Sequence, residues 1–383
     1  MSNINKAGVI CEFNPFHNGH KFLLENIKSN YADKTICIMS GSFVQRGDVA
    51  VFDKYQRTTA ALQNGADVVI ELPVPYVLSN AEGFAENGVK IAKETGCDML
   101  CFGIENTDTK SLIELSNAIR SEKTQEKISS YMKDGDYYPR ALYNSILELY
   151  DNDMAEILNS GNNALALEYI KACEKYDITP IGIERTGATH DSENTVGDIA
   201  SGSYIRKLID DFEDFSEFVP NTFTNPANIY RIESAVVYRL KTMSKEVMAN
   251  LPDVNEGLEN RIYNAVLDYN SLNAILQSIK TKRYTLARIR RIIMCAFLRI
   301  TKEMANTPLP YIRVLGFRED SSSLLKFSTE LPIITTVSSG YKTLEKPAKK
   351  IFDTEMLASH LFSMCCEKSS LCKNDFENGI IKQ

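Results

Sequence analysis

Short apolar runs alternate with helical patterns over the first 210 residues, and this alternation restricts the fold more than any other feature of the chain. The predicted strands are 7–13, 35–40, 67–72, 99–104 and 179–184. The predicted helices are 20–28, 54–64, 81–94, 110–120 and 164–176, and a mostly helical insertion, 121–159, precedes the last strand. Short strands that alternate with longer helices favour a parallel sheet with helices on both faces. We therefore predict an α/β fold with a doubly wound parallel sheet.

The pattern changes after Pro220, where the polar stretch 221–228 is typical of a domain boundary. Helical segments are predicted at 229–241, 257–268, 272–280 and 286–302, followed by a short β pair at 311–317 and 333–337. A helix with a polar tail follows from Pro347. We expect two domains, a nucleotide-binding domain in residues 1–220 and a mainly helical domain in residues 221–383.

The composition is that of a soluble globular protein, since hydrophobic residues make up 44% of the chain and charged residues 24%. No run of 18 apolar residues is present, and the polar N-terminus has no signal core, so we expect a cytoplasmic protein without a membrane association. The net charge is −7, so any nucleic-acid binding requires a local basic patch. The Cys365, Cys366 and Cys372 cluster lacks paired CxxC spacing, and we predict no metal site.

Residues 8–20, which read GVICEFNPFHNGH, contain the most informative motif. The first predicted strand ends at Phe13, the following Asn-Pro breaks it, and a helix is predicted to begin near Asn18. The start of a helix offers free N–H groups and a positive dipole to an anion. His17 and His20 lie on one side of the first turn, and Gly19 removes a side chain where a phosphate would approach.

This motif predicts that His17 and His20 are catalytic and stabilise the charge on a polyphosphate as pyrophosphate leaves. The alternative is an ordinary helix start with two surface histidines. Two of the four histidines of the chain lie in this motif, directly after the first predicted strand, which favours the functional interpretation.

A second motif, ASGSYIR at residues 200–206, opens a predicted helix after the last strand of the same domain. Its serines are suited to capping the helix and to binding phosphates, and Arg206 adds a permanent charge, although a plain helix cap would explain the serines equally well. Together the two motifs resemble those of the HIGH-type nucleotidylyltransferase superfamily, which has HxGH after the first strand and an ISSTxIR-like segment after the last. The resemblance implies a Rossmann-like sheet. Gly202 stands where that superfamily prefers a second serine.

Other loops carry residues suited to a binding site. The loop 40–48, SGSFVQRGD, combines small residues with one arginine, and Gly103 permits close approach of a nucleobase. The amides of Asn162 and Asn163 are suited to binding adenine or ribose, with a helix cap as the alternative. Lys54 and Arg57 share one face of a predicted helix, and the sequence leaves open whether they serve the site or are solvated surface charges.

The segments EFNPFHNGH, MSGSFVQRG, ADVVIELP, FGIE, NNALALEY and GDIASGSYIR together resemble the bacterial tRNA(Met) cytidine acetate ligase family, and KRYTLARIRR and YIRVLGF extend the resemblance to about residue 317. It implies a ligase that joins acetate to the N4 amine of the wobble cytidine of elongator tRNA(Met), using ATP through an acetyl-adenylate. The ATP-binding residues that the two resemblances and motifs imply are Ile10, Glu12, Phe13, Asn14, Pro15, Phe16, His17, Gly19, His20, Leu23, Gly103, Asn162, Asn163, Arg185, Ser203 and Arg206.

The partners expected from this resemblance are ATP, acetate and tRNA, with Mg²⁺ held by phosphates and water because no acidic metal cage is visible in the sequence. No covalent nucleophile and no stable protein partner are implied. The segment 280–291, KTKRYTLARIRR, has six basic residues and no acidic one. It predicts contacts with tRNA phosphates, with a solvated helix face as the alternative. The predicted contacts are Lys282, Arg283, Arg288, Arg290 and Arg291.

Two other functions remain open on the sequence. An adenylyltransferase for a small phosphate-bearing precursor of coenzyme A or NAD would explain both phosphate motifs, but it would not require the helical second domain or the basic segment. An RNA-binding protein with a relict nucleotide site would explain the basic segment, but the two intact histidines argue against it.

Overall fold

The computed structural model describes residues 4–185, 195–255 and 257–383. The strands in these ranges are β1 (Lys6–Cys11), β2 (Lys34–Ser40), β3 (Phe43–Val44), β4 (Asp48–Val49), β5 (Val68–Leu72), β6 (Met99–Ile104), β7 (Thr179–Glu184), β8 (Ile312–Phe317), β9 (Ile333–Ile334) and β10 (Ile381–Lys382). The predicted strands of the first half and the predicted β pair of the second half are all present. The pair consists of β8 and β9, which run parallel.

The α-helices of the described ranges fall into three groups. The first group, before residue 220, comprises α1 (Asn18–Asn30), α2 (Lys54–Gln63), α3 (Val74–Val77), α4 (Ala81–Glu94), α5 (Thr109–Arg120), α6 (Glu122–Lys133), α7 (Tyr138–Leu149), α8 (Asn152–Glu156), α9 (Gly161–Tyr176) and α10 (Gly202–Asp210). The second comprises α11 (Glu233–Lys241), α12 (Lys245–Ala249), α13 (Leu258–Asp268), α14 (Leu272–Ile279), α15 (Leu286–Phe297) and α16 (Lys302–Ala305). The third comprises α17 (Val337–Thr343) and α18 (Ala348–Cys365).

The main sheet has the order β10-β8-β5-β2-β1-β6-β7, and β9 pairs with β8. Its five central strands, from β5 to β7, are parallel. The chain proceeds from β1 outward through β2 and β5, then returns to the other side of β1 for β6 and β7. The order therefore reverses between β1 and β6, which is where open α/β sheets bind their ligands.

Side-chain alternation along the strands builds a core on each face of the sheet. In β2, Ile36 and Ile38 join a cluster with α4 and α9, whereas Cys37 and Met39 join a cluster with α1, α2 and α10. A parallel strand with both faces covered must be apolar at consecutive positions, as β2 is. The predicted α/β fold with a doubly wound sheet is thus confirmed.

The second group of helices has its own core. Apolar side chains of α11, α13, α14 and α15 form a third cluster, and the short antiparallel hairpin β3–β4 packs into it through Phe43, Val44 and Val49. We call this cluster with its helices the helical unit. No helix in the described ranges is both long and apolar enough to cross a membrane.

The chain does not stay in the helical unit after residue 220. Strand β8 pairs antiparallel with β5, and β10, almost at the C-terminus, pairs with β8. Helix α18 packs on the sheet core through Phe352 and on the helical core through Phe362. The predicted division at residue 220 therefore does not coincide with the edge of the sheet, because the last part of the chain completes it.

A buried ionic cluster joins this returning segment to the sheet. The Lys54 Nζ atom lies 2.7 Å from Glu71 Oε1 and 2.7 Å from Asp375 Oδ2. Arg313 on β8 binds the same two carboxylates at 2.7 and 2.9 Å. Because Lys54 is only 2% exposed, the interpretation of this residue as a solvated surface charge is wrong.

Arg57, which the sequence left as a second surface charge, is fully buried (0% exposed), so that interpretation is wrong for this residue too. Its guanidinium donates hydrogen bonds to the carbonyl oxygens of Glu12 at 2.6 Å, Ser40 at 3.0 Å and Phe52 at 3.0 Å, and also to that of Gly41. Burial lowers the pKa of Arg57 to about 10, so the side chain is still charged at neutral pH. It joins the ends of β1 and β2 directly beneath the cleft described below.

Asp375→Ala should destabilise the protein by about 3–5 kcal/mol, because the change leaves Lys54 and Arg313 buried with one carboxylate fewer. The measurement is urea unfolding followed by circular dichroism at pH 7. Asp320→Ala is the matched control, since Asp320 forms an exposed ion pair with Arg318 and its loss should change the midpoint little. An Asp375→Ala midpoint equal to that of the control would contradict this role of the cluster.

Candidate active site

A cleft with a volume of about 1410 Å³ opens at the carboxyl ends of the central strands, beside the point where the strand order reverses. Fourteen of the residues proposed from the sequence line it: Ile10, Glu12, Phe13, Asn14, His17, Gly19, His20, Leu23, Gly103, Asn162, Asn163, Arg185, Ser203 and Arg206. The proposed residues Pro15 and Phe16 do not line it. Phe16 lies beneath the turn with its ring packed on Phe13 and His20, so its contribution is support rather than contact with a ligand.

His17 and His20 cap helix α1 together. The Nδ1 atom of His17 accepts a hydrogen bond from the Gly19 N–H at 3.1 Å, and the His17 N–H donates to Nδ1 of His20 at 3.3 Å. The two rings stack with centroids 3.7 Å apart. Since both Nδ1 atoms act as acceptors, the neutral rings carry their proton on Nε2 and can donate it to a ligand.

The alternative of two surface histidines is wrong, because His17 is only 3% exposed and His20 is half-buried. Burial, with the charges of Arg185 and Arg206, lowers the pKa of His17 to about 3. Burial, His17 and Arg185 lower the pKa of His20 well below its ordinary value. Both rings are therefore neutral hydrogen-bond donors at neutral pH, and the positive charge beside them comes from Arg185 and Arg206.

The start of α10 meets the histidine turn. Ser201 caps α10 by accepting from the Tyr204 N–H. A Cβ atom at Gly202 would lie 3.8 Å from Nε2 of His17, so this glycine leaves the donor atom of the ring open to the cleft. The departure from the superfamily pattern at Gly202 is thus located where the start of α10 faces the ring of His17.

Arg206 connects α10 to the segment that follows β1 through a hydrogen bond. Its Nη1 atom donates to the Asn14 carbonyl at 2.6 Å, and Nη2 donates to the Ser203 hydroxyl at 3.1 Å. Asn14 in turn accepts from the Val51 N–H through its side chain at 2.7 Å. The two phosphate motifs, which are far apart in the sequence, therefore form one wall of the cleft.

The opposite wall is organised by Glu105, which follows β6. Its carboxylate accepts from the Ser160 hydroxyl at 2.9 Å and from the Asn162 amide at 2.5 Å. The Asn163 amide donates to the carbonyls of Glu105 and Ile157 and accepts from the Glu105 N–H, all within 3.3 Å. Asn163 is 1% exposed and both of its amide hydrogens are used, so it positions this loop, whereas Asn162 remains at the surface of the cleft.

Arg185 and Gly103 lie between the two walls. The stem of Arg185 packs over Gly103, since a Cβ atom there would come within 3.2 Å of the Arg185 Cγ. The Arg185 side chain thus lies close to Gly103, which also lines the cleft, and the contact of Gly103 with a nucleobase stays a prediction. The pKa of Arg185 is lowered below its ordinary value because the side chain is buried, and the charge of Glu105 offsets part of this effect.

The residues predicted from the sequence to bind ATP do not include several side chains that line the cleft, among them Gln45, Arg46 and Glu105. The sequence did hold a signal for two of them, because the small-residue loop with one arginine follows β2 and suits a binding site. Glu105 had a weaker signal, since a single carboxylate after a strand indicates no particular role without its partners.

None of the five basic residues proposed to bind RNA lines the cleft. Arg291 is buried (9% exposed) with its Nη2 atom 3.6 Å from Asp253, and Arg288 bonds to the Asp253 carbonyl at 2.7 Å. Arg291 is therefore a residue of the helical core and not of a surface that could meet phosphates. Lys282 and Arg283 are exposed, and Arg290 is half-buried.

Acidification should destabilise the ligand-free protein through His17. Its folded pKa lies below the unfolded value, so the unfolded chain binds the extra proton and stability falls as the pH drops from about 6.5 toward 3. Between pH 7 and pH 5 this one ring accounts for about 2 kcal/mol. His17→Asn, which keeps a side-chain acceptor for the helix cap, should remove that part of the pH dependence in urea unfolding.

His360→Asn, the same substitution at an exposed position, is the control. A His17→Asn protein with the same loss of stability between pH 7 and pH 5 as the unmodified protein would contradict a neutral, buried His17.

The chain is similar to known proteins over nearly its whole length. The model of the family described as HIGH Nucleotidyl Transferase matches residues 4–377. A tRNA(Met) cytidine acetate ligase of Thermoanaerobacter sp. (strain X514) is 35% identical over 401 residues, which cover 98% of this chain and 99% of that protein. A protein of the same name from Staphylococcus aureus (strain MRSA252) is 33% identical over 390 residues, with 99% and 100% covered.

Solved structures of a similar protein match the fold of this chain over nearly its whole length. The apo crystal structure (form I) of Thermotoga maritima TmcAL superposes with a TM-score of 0.90 at 27% identity, covering 99% of both chains. A second crystal structure of that protein, bound with alpha-thio ATP, superposes with a TM-score of 0.86 at 28% identity over the same share of both chains. The match in sequence and fold over the whole length shows that this chain belongs to the HIGH nucleotidyl transferase family and, within it, to the tRNA(Met) cytidine acetate ligases.

Proposed function

We propose that this protein uses ATP and acetate to acetylate the N4 amine of the wobble cytidine of elongator tRNA(Met). The observation that carries the proposal is the junction of the histidine turn with the start of α10, in a chain that matches tRNA(Met) cytidine acetate ligases over its whole length. Two helix N-termini, two neutral imidazole donors and Arg206 meet there, an arrangement suited to a polyphosphate.

The first step activates acetate. A carboxylate oxygen of acetate attacks the α-phosphorus, the bond to the bridging oxygen breaks, and pyrophosphate leaves with that electron pair. The Nε2–H groups of His17 and His20 donate to oxygens that gain charge in this step, and the positive end of the α1 dipole favours the same charge. The neutral state of both rings suits this role, because no proton has to be transferred to make an acyl phosphate.

The second step transfers the acetyl group to RNA. The N4 amine of cytidine attacks the acetyl carbonyl, the bond to the phosphate oxygen breaks, and AMP leaves while the amine loses a proton. A cysteine carrier is not needed. Cys11 lines the cleft, but burial and the neighbouring Cys37 raise the pKa of its thiol well above the ordinary value, so it is protonated and a poor nucleophile.

The wall built around Glu105 suits the nucleoside of ATP. Asn162 and Arg185 offer donors there, and Glu105 offers an acceptor for a hydroxyl or an amine. Among the described residues no group of three or more His, Cys, Asp or Glu side chains is arranged to hold a metal ion. The chain thus fits Mg²⁺ as an ion carried by the ATP phosphates, where it would neutralise charge on the leaving pyrophosphate.

The decisive assay combines the protein with ATP, radiolabelled acetate and bulk tRNA, followed by digestion to nucleosides. We expect label in N4-acetylcytidine, and only when ATP is present. An absence of labelled RNA, together with pyrophosphate release driven by a phosphate-bearing coenzyme precursor, would replace this proposal with the adenylyltransferase alternative.

His20→Ala should lower the rate of acetate-dependent ATP–pyrophosphate exchange by about 10²-fold or more, since it removes a donor to the charge that develops on the phosphates. The exchange of labelled pyrophosphate into ATP measures this step without RNA. His360→Ala, at an exposed position, is the control and should exchange at the normal rate. Full activity of a folded His20→Ala protein would contradict the mechanism.

The tRNA contact is proposed for the exposed end of the basic segment, at Lys282 and Arg283. Replacing both by alanine should raise KM for tRNA several-fold and reduce the slope of log affinity against log salt by about two, since each cation meets one phosphate. ATP–pyrophosphate exchange should not change. Lys110→Ala, at an exposed position on α5, is the control, and an unchanged salt slope in the double variant would locate the tRNA elsewhere.

A further inference from the structure

The hairpin β3–β4 connects the cleft to the helical unit. Its strands are buried in the helical core through Phe43, Val44 and Val49. Its tip, Gln45 and Arg46, lines the cleft. The Gln45 N–H donates to Glu12 Oε1 at 2.7 Å, which fixes the tip against the end of β1.

Gly47 sets how closely this hairpin approaches helix α15. It has a φ of +76°, and its N–H donates to the Val44 carbonyl at 2.9 Å, which closes the turn. A Cβ atom there would lie 2.4 Å from the Arg291 nitrogen and 2.5 Å from the Arg290 carbonyl carbon. Both contacts are with backbone atoms that cannot rotate away, so only glycine allows this approach.

The docked hairpin directs Arg46 toward the start of α10. The Nη1 atom of Arg46 lies 3.5 Å from the Ser203 hydroxyl, and Nη2 of Arg206 lies 3.1 Å from the same oxygen. Two guanidinium groups that converge on one hydroxyl form a set of donors suited to an anion with several oxygens.

The strand order indicates which part of ATP lies there. The sheet runs β2-β1-β6-β7, so Arg46, which follows β2, and Glu105, which follows β6, lie on opposite sides of the histidine turn after β1. With the nucleoside at Glu105 and the α-phosphate at His17, the remaining phosphates extend toward Arg46. We propose that Arg46 binds the β- and γ-phosphates of ATP and that the contact between Gly47 and α15 holds it in place.

This inference rests on the proposed function only in taking ATP as the ligand, so its test uses nucleotide binding without acetate or tRNA. Affinities for ATP and AMP are measured by calorimetry in the presence of Mg²⁺. Arg46→Ala should weaken ATP binding at least tenfold and AMP binding less than twofold, and Arg46→Lys should fall between. Arg318→Ala is the control. Arg318 pairs with Asp320, and its N–H donates to the carbonyl of Asp67, at the amino end of β5 and away from the cleft.

Equal ATP affinity in Arg46→Ala and the unmodified protein would overturn the inference, as would an equal loss of ATP and AMP binding. Failure of the unmodified protein to bind either nucleotide would instead overturn the proposed function. Gly47→Ala should reproduce the selective loss of ATP binding, and the double variant should be no weaker than Arg46→Ala alone. If the losses of ATP affinity were additive in the double variant, Gly47 would not act through Arg46. If Gly47→Ala does not fold, Arg46→Ala and Arg46→Lys still test whether Arg46 contacts the β- and γ-phosphates.

Discussion

The hydrogen bonds of Arg57 to the ends of β1 and β2 are the interaction on which the functional half of this structure depends. Where parallel strands end, their last carbonyl groups lose the ladder and need other donors. A single buried guanidinium supplies donors to the carbonyls of Glu12, Ser40, Gly41 and Phe52. The segment before the histidine turn and the loop before the hairpin are thereby held at a fixed separation. These two segments form the floor of the cleft, which Glu12 lines.

In the cleft, neutral histidines supply hydrogen-bond donors, whereas arginines supply positive charge. The histidines are kept neutral by burial and by nearby arginines, and the cap geometry leaves Nε2–H as the donor of each ring. Charge is supplied by arginines that come from separate segments, namely the hairpin, the end of β7 and α10. Donors that need no reorganisation during the reaction are the most effective form of electrostatic stabilisation. The structure thus explains why two imidazoles can share a helix cap without repelling each other.

The sequence predicted the sheet, its helices and the histidine turn because their signals are local. Strand and helix periods, the Asn-Pro break and the HNGH spacing all lie within a few residues of one another. It failed where the deciding partner is distant. Lys54 and Arg57 could not be identified as buried without Asp375 and the strand ends, and Arg291 could not be separated from the surface arginines without Asp253. The return of β8 and β10 to the sheet was missed for the same reason, since pairing between remote strands leaves no periodic trace. Whether each cleft residue contacts ATP, and whether Lys282 and Arg283 contact tRNA, stay predictions.

The late position of Asp375 has a consequence for how the chain is made. Helix α2 and strand β5 are synthesised early, whereas their ionic partners, Arg313 on β8 and Asp375, emerge much later. Until then Glu71 has Lys54 alone, in a site that later excludes water. A chain that lacks Asp375 therefore cannot form the same closed core, and we expect the sheet to become resistant to unfolding only after Asp375 has been synthesised.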